Sequence, residues 1–297
     1  MREGNVEQPL QNGPHRERRE LFNAINCIYI CVNSEELYES NAPDKAYRLW
    51  IDKEAIASMA AVDSHLKNSI LDMWSIIMNK KQLSRETMHP SRFFFTTYTT
   101  ILHAQKASFK YQEFYKVMQL ETQRTNWLNF NTIDLMCSLI QLFIVLHVFF
   151  PILRSEHFFL IVFQFADKTV NIIDNLTLPK NPSTRYGNCD SVLKHFFSKY
   201  LMQRGRPKAK EVKNFRTIYV KTDNQDSINL HDCGIYTMRH METYYGNLPS
   251  WDHGFQEEKE TLLRTLRAKY AARIFLHPDD MLRDNTLRKA KLETEVR

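Results

Sequence analysis

A nearly unbroken apolar run of nine residues, HFFLIVFQF, begins at His157 and constrains the fold more than any other part of this sequence. Its apolar side chains do not alternate with polar ones, as they would in a strand with one solvated face. Strands that are apolar on both faces lie in the centre of a sheet and are covered on each side. After a short turn, TVNIID returns as a second strand that ends at Asp174. We therefore expect a hairpin inside a sheet that is covered on both faces.

Helical patterns precede and follow these strands. In NSILDMWSIIMNKK the apolar residues, among them Ile70 and Trp74, recur on one helical face. EEKETLLRTLRAKYAARIFL shows the same pattern near the end of the chain, with Leu266 and Tyr270 on one face. Between the hairpin and the next helix, NPSTRYGNCD is expected to form a loop. Strands flanked by helices at both ends predict the α+β class.

Length and composition allow one large domain. The chain has 297 residues, of which 43% are hydrophobic, and this is enough to bury a sizeable core. Residues 1–45 are polar with weak periodicity, so a weakly structured N-terminal extension is expected there. Residues 46–297 are expected to form the folded domain, with helices at its C-terminal end.

One apolar stretch requires a test for membrane insertion. Residues 135–153 are numerous enough to cross a bilayer, but Ser138, Gln141 and His147 interrupt the run. A buried helix followed by a buried strand is the favoured interpretation, so no membrane partner is expected.

The cysteine spacing, the N-terminal composition and the net charge argue against a metal-binding, a secreted or a dedicated nucleic-acid-binding protein. The five cysteines are irregularly spaced without a CxxC pair, so no metal or other cofactor is expected. The charged first 20 residues lack the apolar core of a signal peptide, which predicts reduced thiols in the nucleus or cytoplasm. The net charge of +6 is weak for a dedicated nucleic-acid binder. A monomer is expected.

Three residues form the pattern of a thiol nucleophile with an imidazole base. Cys233 lies at the start of a helical segment, where the backbone dipole favours the thiolate. His157 opens one strand of the hairpin and Asp174 closes the next, so the two side chains are expected to meet, with the carboxylate orienting the ring. Gly234 permits a close approach to this helix, and Gly246 is expected to cap its C-terminal end. Spacing alone leaves a buried structural cysteine as the more frequent alternative.

The segments SEHFFLIVF, NIIDN and NLHDCGIY together resemble the ubiquitin-like-protein-specific cysteine proteases. These are SUMO-protease-like peptidases related to adenovirus proteinase, and their motif is a His before an apolar strand, an Asp about 17 residues later, and Asn-x-x-Asp-Cys-Gly. VFFPILRSEHFFLIVF, MRHMETYYG and LRAKYAARIFL are most similar to the plant, transposon-associated branch. The resemblance extends from about residue 46 to near the C-terminus.

The resemblance implies a fold, an activity and roles for individual residues. The fold implied is a papain-like core, a mixed sheet packed against helices, and residues 46–297 would be the catalytic domain. His157 would be the general base, Asp174 its orienting partner and Cys233 the nucleophile. The substrate implied is a ubiquitin-like modifier or its conjugates, cleaved after the C-terminal Gly-Gly.

Further site residues follow from the resemblance. Relatives carry an oxyanion-stabilising Gln six residues before the Cys, where this chain has Ser227, and the nearest Gln is Gln225. SUMO proteases also clamp the Gly-Gly tail between two tryptophans; Phe158 stands in one of these positions and Ser69, counted from Asp72, in the other. The resemblance places four residues on the substrate side: Phe158, Asp72, Trp74 and Asn229.

Two functions from different classes are compatible with these residues. The first is a cysteine peptidase that deconjugates or processes a ubiquitin-like modifier. The alternative is a catalytically weak module that binds such a modifier without turnover. RGRPKAK, which begins at Arg204 and ends at Lys210, is similar to a minor-groove AT-hook, but a solvated basic loop is the favoured interpretation over a DNA contact.

Overall fold

The structure is a computed structural model of the chain. It describes residues 38–39, 50–51, 53–61, 64–83, 92–100, 110–124, 147–206, 208–223, 225–227, 229–246, 251–255, 259–277 and 288. The N-terminal extension expected for residues 1–45 lies outside these ranges except for residues 38–39.

The strands and helices follow one another along the described residues. The strands are β1 (Tyr38–Glu39), β2 (Trp50–Ile51), β3 (Arg92–Phe94), β4 (His147–Arg154), β5 (His157–Gln164), β6 (Thr169–Ile173) and β7 (Arg216–Tyr219). The helices are α1 (Lys53–Ala60), α2 (Asn68–Leu83), α3 (Tyr111–Arg124), α4 (Pro182–Tyr186), α5 (Cys189–Gln203), α6 (Cys233–Thr243) and α7 (Lys259–Phe275). A 3₁₀ helix spans Ala209–Asn214.

A five-stranded mixed sheet forms the centre of the fold, in the order β3-β4-β5-β6-β7. The strands β4, β5 and β6 are antiparallel neighbours, whereas β3 and β7 each run parallel to the strand beside them. The central position predicted for the strand that begins at His157 is confirmed.

Both faces of the sheet are covered, because the side chains of β5 alternate between two apolar clusters. Phe158, Leu160 and Val162 pack with residues of α1, α2, α6 and α7. Phe159, Ile161 and Phe163 pack with residues of α3 and α5 on the opposite face. The predicted α+β class is therefore confirmed as a sheet between two helical layers.

A two-residue turn fixes where β5 begins. Ser155 and Glu156 connect β4 to β5 with φ angles of 48° and 60°. Two successive residues with positive φ are typical of the type I′ turn, whose twist matches that of a hairpin. The turn makes His157 the first residue of β5, at the open end of the β5–β6 hairpin.

The apolar stretch of residues 135–153 ends in a strand, as expected. Its last part belongs to β4, which is buried along most of its length. The helix predicted before it lies outside the described residues. Among the residues that the structure describes, no helix is both long and apolar enough to cross a membrane.

The expected loop NPSTRYGNCD is largely helical. α4 begins after Asn181, whose side-chain oxygen accepts a hydrogen bond from the backbone N–H of Ser183, and Pro182 occupies the first turn. An Asn N-cap followed by Pro is a strong helix start. The loop prediction was wrong because Asn and Pro, which are typical of turns, also favour the first turn of a helix.

The basic segment of residues 204–210 lies away from the open end of the β5–β6 hairpin. Arg204, Lys208 and Lys210 are exposed. The segment leads into the 3₁₀ helix and then β7, whose first residue, Arg216, pairs with Thr169 at the start of β6. Asp174 follows the other end of β6, so the length of that strand separates the two regions.

Candidate active site

Cys233 is the first residue of α6, and the structure buries it. Its relative exposure is 0%, and Asp232 occupies the N-cap position before it. A Cβ on Gly234 would lie 2.8 Å from Cδ1 of Leu66, so the close approach expected at this glycine is made by a side chain of the segment between α1 and α2. The Cys233 sulfur becomes accessible from solvent only when the covering side chains move.

The helix that carries Cys233 ends earlier than predicted. Its last residue is Thr243 and its C-cap residue is Tyr244, so Gly246 is not the cap. Gly246 has a φ of +90°, and a Cβ at this position would clash with the ring of His147. Glycine is required here because the left-handed backbone passes directly over a buried side chain.

His157 and Asp174 meet at the open end of the β5–β6 hairpin. The distance between Nε2 of His157 and Oδ1 of Asp174 is 2.8 Å. The backbone N–H of Leu176 donates to the same oxygen at 3.1 Å. The other oxygen, Oδ2, accepts from the hydroxyl of Tyr186 at 2.9 Å and from the guanidinium of Arg185 at 3.2 Å. Both oxygens of the carboxylate are therefore held, and the carboxylate in turn fixes the orientation of the imidazole.

The charges of this cluster support one another. Burial disfavours the carboxylate of Asp174, but hydrogen bonds from His157, Leu176 and Tyr186 hold its pKa below the usual range. Burial also disfavours the imidazolium of His157, yet Asp174 and Cys233 raise the pKa of His157 to about 9. The raised pKa favours the protonated form of the ring.

The second ring nitrogen of His157 is the one left for the thiol. Nδ1 is buried and has no hydrogen bond of regular geometry among the described residues, although Cys233 interacts with the ring strongly enough to raise its pKa. The Cys233 sulfur accepts a hydrogen bond from the backbone N–H of Phe158 at 3.4 Å. A thiol, an imidazole and a carboxylate that orients the imidazole are the components of nucleophilic catalysis by cysteine.

Residues 64–282 match the model of the Ulp1 protease family, C-terminal catalytic domain. The chain belongs to the Ulp1 protease family. It is thus a cysteine peptidase of the type specific for ubiquitin-like proteins, as the motifs around His157, Asp174 and Cys233 predict. No curated protein sequence matches the chain at a significant level.

Solved structures of Ulp1 proteases share the fold. The C-terminal Ulp1 protease domain in complex with Smt3, the yeast ortholog of SUMO, is 16% identical, with a TM-score of 0.54 over 91% of this chain and 97% of that one. The Ulp1-like SUMO protease catalytic domain of Chaetomium thermophilum is 16% identical, with a TM-score of 0.50 over 94% and 96%. The predicted mixed sheet packed against helices is confirmed.

Two residues expected on the substrate side of this Ulp1-family domain lie in its core instead. Asp72 is 3% exposed and accepts a hydrogen bond from the backbone N–H of Thr97 at 2.6 Å. Trp74 is 1% exposed, and its indole N–H donates to the carbonyl of Met238 at 3.2 Å. The face of α2 that carries these residues packs against the sheet and α6, and their contact with a substrate stays a prediction.

Phe158 and Asn229 lie beside the candidate nucleophile, but their side chains are engaged within the protein. The ring of Phe158 is 1% exposed, so its contact with a substrate stays a prediction that requires movement of the covering side chains. The amide of Asn229 donates to Oδ2 of Asp232 at 2.9 Å, and its oxygen accepts from the Asp232 backbone N–H at 3.0 Å. Asn229 thus shapes the turn before Cys233 and has little left for a substrate.

The two expected oxyanion donors occupy different environments. The side-chain amide of Gln225 donates to the carbonyls of Asp174 and Val220, at 3.0 and 3.1 Å. Its hydrogens are therefore committed to the backbone, and a role for Gln225 in stabilising an oxyanion stays a prediction. Ser227 is exposed, and a role for it stays a prediction.

Sequence reasoning missed several residues around the site. Arg185 and Tyr186, which hold Asp174, lie in the segment interpreted as a loop, and the Asn-Pro start of α4 was the signal for them. The exposed rings of His65 and His231 pair near the helix start, with centroids 4.9 Å apart. Arg267 is 3% exposed. The sequence feature that could have indicated it is a charged residue on the apolar face of α7.

Among the described residues, no three His, Cys, Asp or Glu side chains converge to bind a metal ion.

Proposed function

We propose that this Ulp1-family domain cleaves the bond after the C-terminal Gly-Gly of a ubiquitin-like modifier, with Cys233, His157 and Asp174 as its catalytic residues. The observation that carries the proposal is the buried chain of interactions from Asp174 through His157 to Cys233 at the start of a helix. Such an arrangement suits a nucleophile that reacts as a thiolate.

The first half of the reaction forms an acyl-enzyme. The Cys233 thiolate attacks the carbonyl carbon of the terminal glycine, and the carbonyl oxygen takes up the negative charge. The bond between this carbon and the leaving nitrogen, a lysine ε-amine in a conjugate, then breaks. Protonated His157 gives the nitrogen its proton from Nδ1, because Nε2 is engaged by Asp174. The amine leaves, and the modifier is held as a thioester.

The second half releases the modifier. A water molecule attacks the thioester carbon while neutral His157 accepts one of its protons. The carbon–sulfur bond breaks, the modifier leaves with a C-terminal carboxylate, and the thiolate–imidazolium pair is restored. The oxyanion of each step is stabilised by backbone N–H groups at the start of α6, since the amide of Gln225 is committed elsewhere.

A SUMO-like modifier is the best-supported substrate class. A related Ulp1 domain was solved in complex with Smt3, and the C. thermophilum relative is described as a SUMO protease. The exposed rings of His65 and His231 and the side chain of Leu230, which is 50% exposed, lie beside the segment that leads to Cys233. These groups form the surface that an extended C-terminal tail meets first.

A second candidate function is binding of a ubiquitin-like modifier without efficient turnover. The observation that favours it is the use of Gln225 as a backbone tie, because loss of one oxyanion donor typically lowers the rate by a factor of about 10² to 10³. The complete Cys–His–Asp arrangement favours catalysis over this alternative.

The deciding experiment uses a panel of ubiquitin-like proteins that carry a C-terminal electrophile in place of the last carboxylate. Each is incubated with the wild-type protein and with Cys233→Ala, and covalent adducts are mapped by mass spectrometry. The proposal expects an adduct on Cys233 with at least one modifier, and cleavage of the matching isopeptide conjugate. Adducts without conjugate cleavage would support the binding module, and absence of any Cys233 adduct would refute cleavage by Cys233.

A further inference from the structure

Arg267 lies in the middle of α7 and is buried between three parts of the chain. Its Nε and one terminal nitrogen donate to Oδ1 of Asp232, at 2.9 and 2.7 Å. The other donations go to the backbone carbonyls of Ser58 at 2.8 Å and Ser64 at 3.0 Å. The side chains of Arg267 and Asp232 are only 4% and 10% exposed. A helix far along the sequence thereby reaches the residue directly before Cys233.

Asp232, which Arg267 holds in place, in turn forms hydrogen bonds with the turn that leads into α6. Its second oxygen, Oδ2, accepts the amide of Asn229, and its backbone N–H returns a hydrogen bond to the Asn229 oxygen. Arg267 also holds the carbonyl of Ser64, two residues before Leu66, whose side chain lies against Gly234. The same guanidinium therefore fixes both the turn before the thiol and the segment that covers the start of its helix.

The ion pair alone is weak evidence for a stabilising role. Removing two charges from water costs about as much as their attraction returns. The pair also lies next to the candidate nucleophile, because Asp232 directly precedes Cys233. An unpaired Asp232 carboxylate beside Cys233 would oppose formation of a thiolate there, and the guanidinium cancels that charge.

We propose that Arg267 is a positioning residue for Cys233: it neutralises Asp232 and holds the turn that delivers the thiol to the start of α6. The inference rests on the proposed role of Cys233 as nucleophile, but its test does not require turnover. The charged and titratable groups around the thiol are His157 and Asp174 on the sheet side, Asp232 and Arg267 on the helix side, and His65 and His231 at the rim.

The test measures how the rate of alkylation of Cys233 by iodoacetamide depends on pH. The full chain is labelled under native conditions, and each thiol is quantified by mass spectrometry, with the buried thiol of Cys189 reporting any global opening. Arg267→Met leaves the Asp232 charge unpaired, so the midpoint should rise by about one pH unit and the rate at neutral pH should fall about tenfold. Arg264→Met, an exposed position on the same helix, is the matched control and should leave the midpoint in place.

The opposite substitution separates electrostatics from stability. Asp232→Asn removes the negative charge and leaves Arg267 positive, so the midpoint should fall even though the same ion pair is lost. The double variant Arg267→Met/Asp232→Asn should return the midpoint to near that of the wild type. A merely structural pair predicts equal effects of both single variants, and equal or absent shifts would overturn the proposal.

The role of Arg267 can still be tested if Arg267→Met does not fold or if the proposed function is refuted. Should Arg267→Met not fold, Asp232→Asn decides alone: a lower midpoint supports the proposal and an unchanged one refutes it. Should the wild-type protein label no ubiquitin-like electrophile, the proposed function fails, while the alkylation midpoints still report whether Arg267 acts on Cys233.

Discussion

The guanidinium of Arg92, the first residue of β3, donates to the backbone carbonyl of Met241 at 3.0 Å inside the protein. The same nitrogen also donates to the carbonyls of Glu242 and Tyr244, both at 3.2 Å. The last carbonyls of a helix have no partner within the helix. A buried arginine therefore closes the C-terminal end of α6, the helix that begins with Cys233.

Replacement of Arg92 by Met should destabilise the protein by roughly 3 kcal/mol, because several buried carbonyls lose their donor at once. Arg92→Lys keeps the charge but not the planar fork, so a smaller loss is expected. Urea unfolding followed by circular dichroism measures both. A midpoint shared by Arg92→Met and the wild type would show that water replaces the guanidinium without cost.

The pH dependence of turnover should report the raised pKa of His157. Burial lowers this pKa, but Asp174 and Cys233 raise it to about 9, so imidazolium is available as a proton donor below that pH and is lost above it. We expect kcat/KM on a C-terminal amide substrate to decline as the pH rises through about 9. Asp174→Asn removes the neighbouring negative charge, so the decline should move to lower pH and kcat should fall strongly. A decline that stays in place in this variant would exclude Asp174 as the partner of the ring.

Acid should destabilise the fold through two buried histidines. Burial lowers the pKa of His147 to about 4 and that of His240 to about 3. The unfolded chain binds protons at these positions below about pH 6.5, so each should remove about 1.2 kcal/mol of stability between about pH 7 and pH 5.5. The pKa of His157 is raised to about 9, so its protonation stabilises the fold by about 0.8 kcal/mol over the same interval. The net loss of stability is therefore about 1.7 kcal/mol.

Denaturant unfolding at both pH values checks this net loss, and His147→Gln should remove most of it. Equal stability of the wild type at both pH values would contradict the buried neutral state of these rings.

The turn before His157 should accept a stabilising substitution. Ser155 and Glu156 both have positive φ angles, which cost roughly 1 kcal/mol per residue with a side chain. Ser155→Asn/Glu156→Gly supplies the preferred type I′ residues and should raise the free energy of unfolding by about 1 kcal/mol. Ser155→Val, with a branched side chain at the same angle, should lower it. Thermal unfolding of the three proteins tests the order, and a Val variant as stable as the Asn–Gly variant would refute it.

Replacement of Gln225 by Ala distinguishes between two roles of its side chain. The amide either holds the backbone by hydrogen bonds or donates to the oxyanion. The amide of Gln225 donates to the carbonyls of Asp174 and Val220, so the variant should lose about 1 to 2 kcal/mol of stability with a modest change in kcat. A donor to the oxyanion would instead lower kcat by a factor of about 10² to 10³ at unchanged stability. Ser227→Gln, measured on the same substrate, tests whether the position used by relatives can take up that role.

Local patterns in the sequence determined the sheet and the pairing at its centre. The run from His157 is apolar on both faces, and that alone required a central strand with a layer on each side. The short return to Asp174 made the meeting of His157 and Asp174 a consequence of hairpin geometry. Cys233 beside Gly234 at a helix start, together with the other two segments, was enough to indicate the protease family.

Only the tertiary structure decided which side chains support these residues. Asp72 and Trp74 are buried because α2 turns that face inward, and hydrophobic periodicity defines a face without saying what covers it. Arg185 and Tyr186 of α4 reach Asp174, and Arg267 of α7 reaches Asp232. Periodicity and turn chemistry describe a few neighbouring residues, whereas a buried charge acquires its partner from whichever distant segment the packing brings beside it.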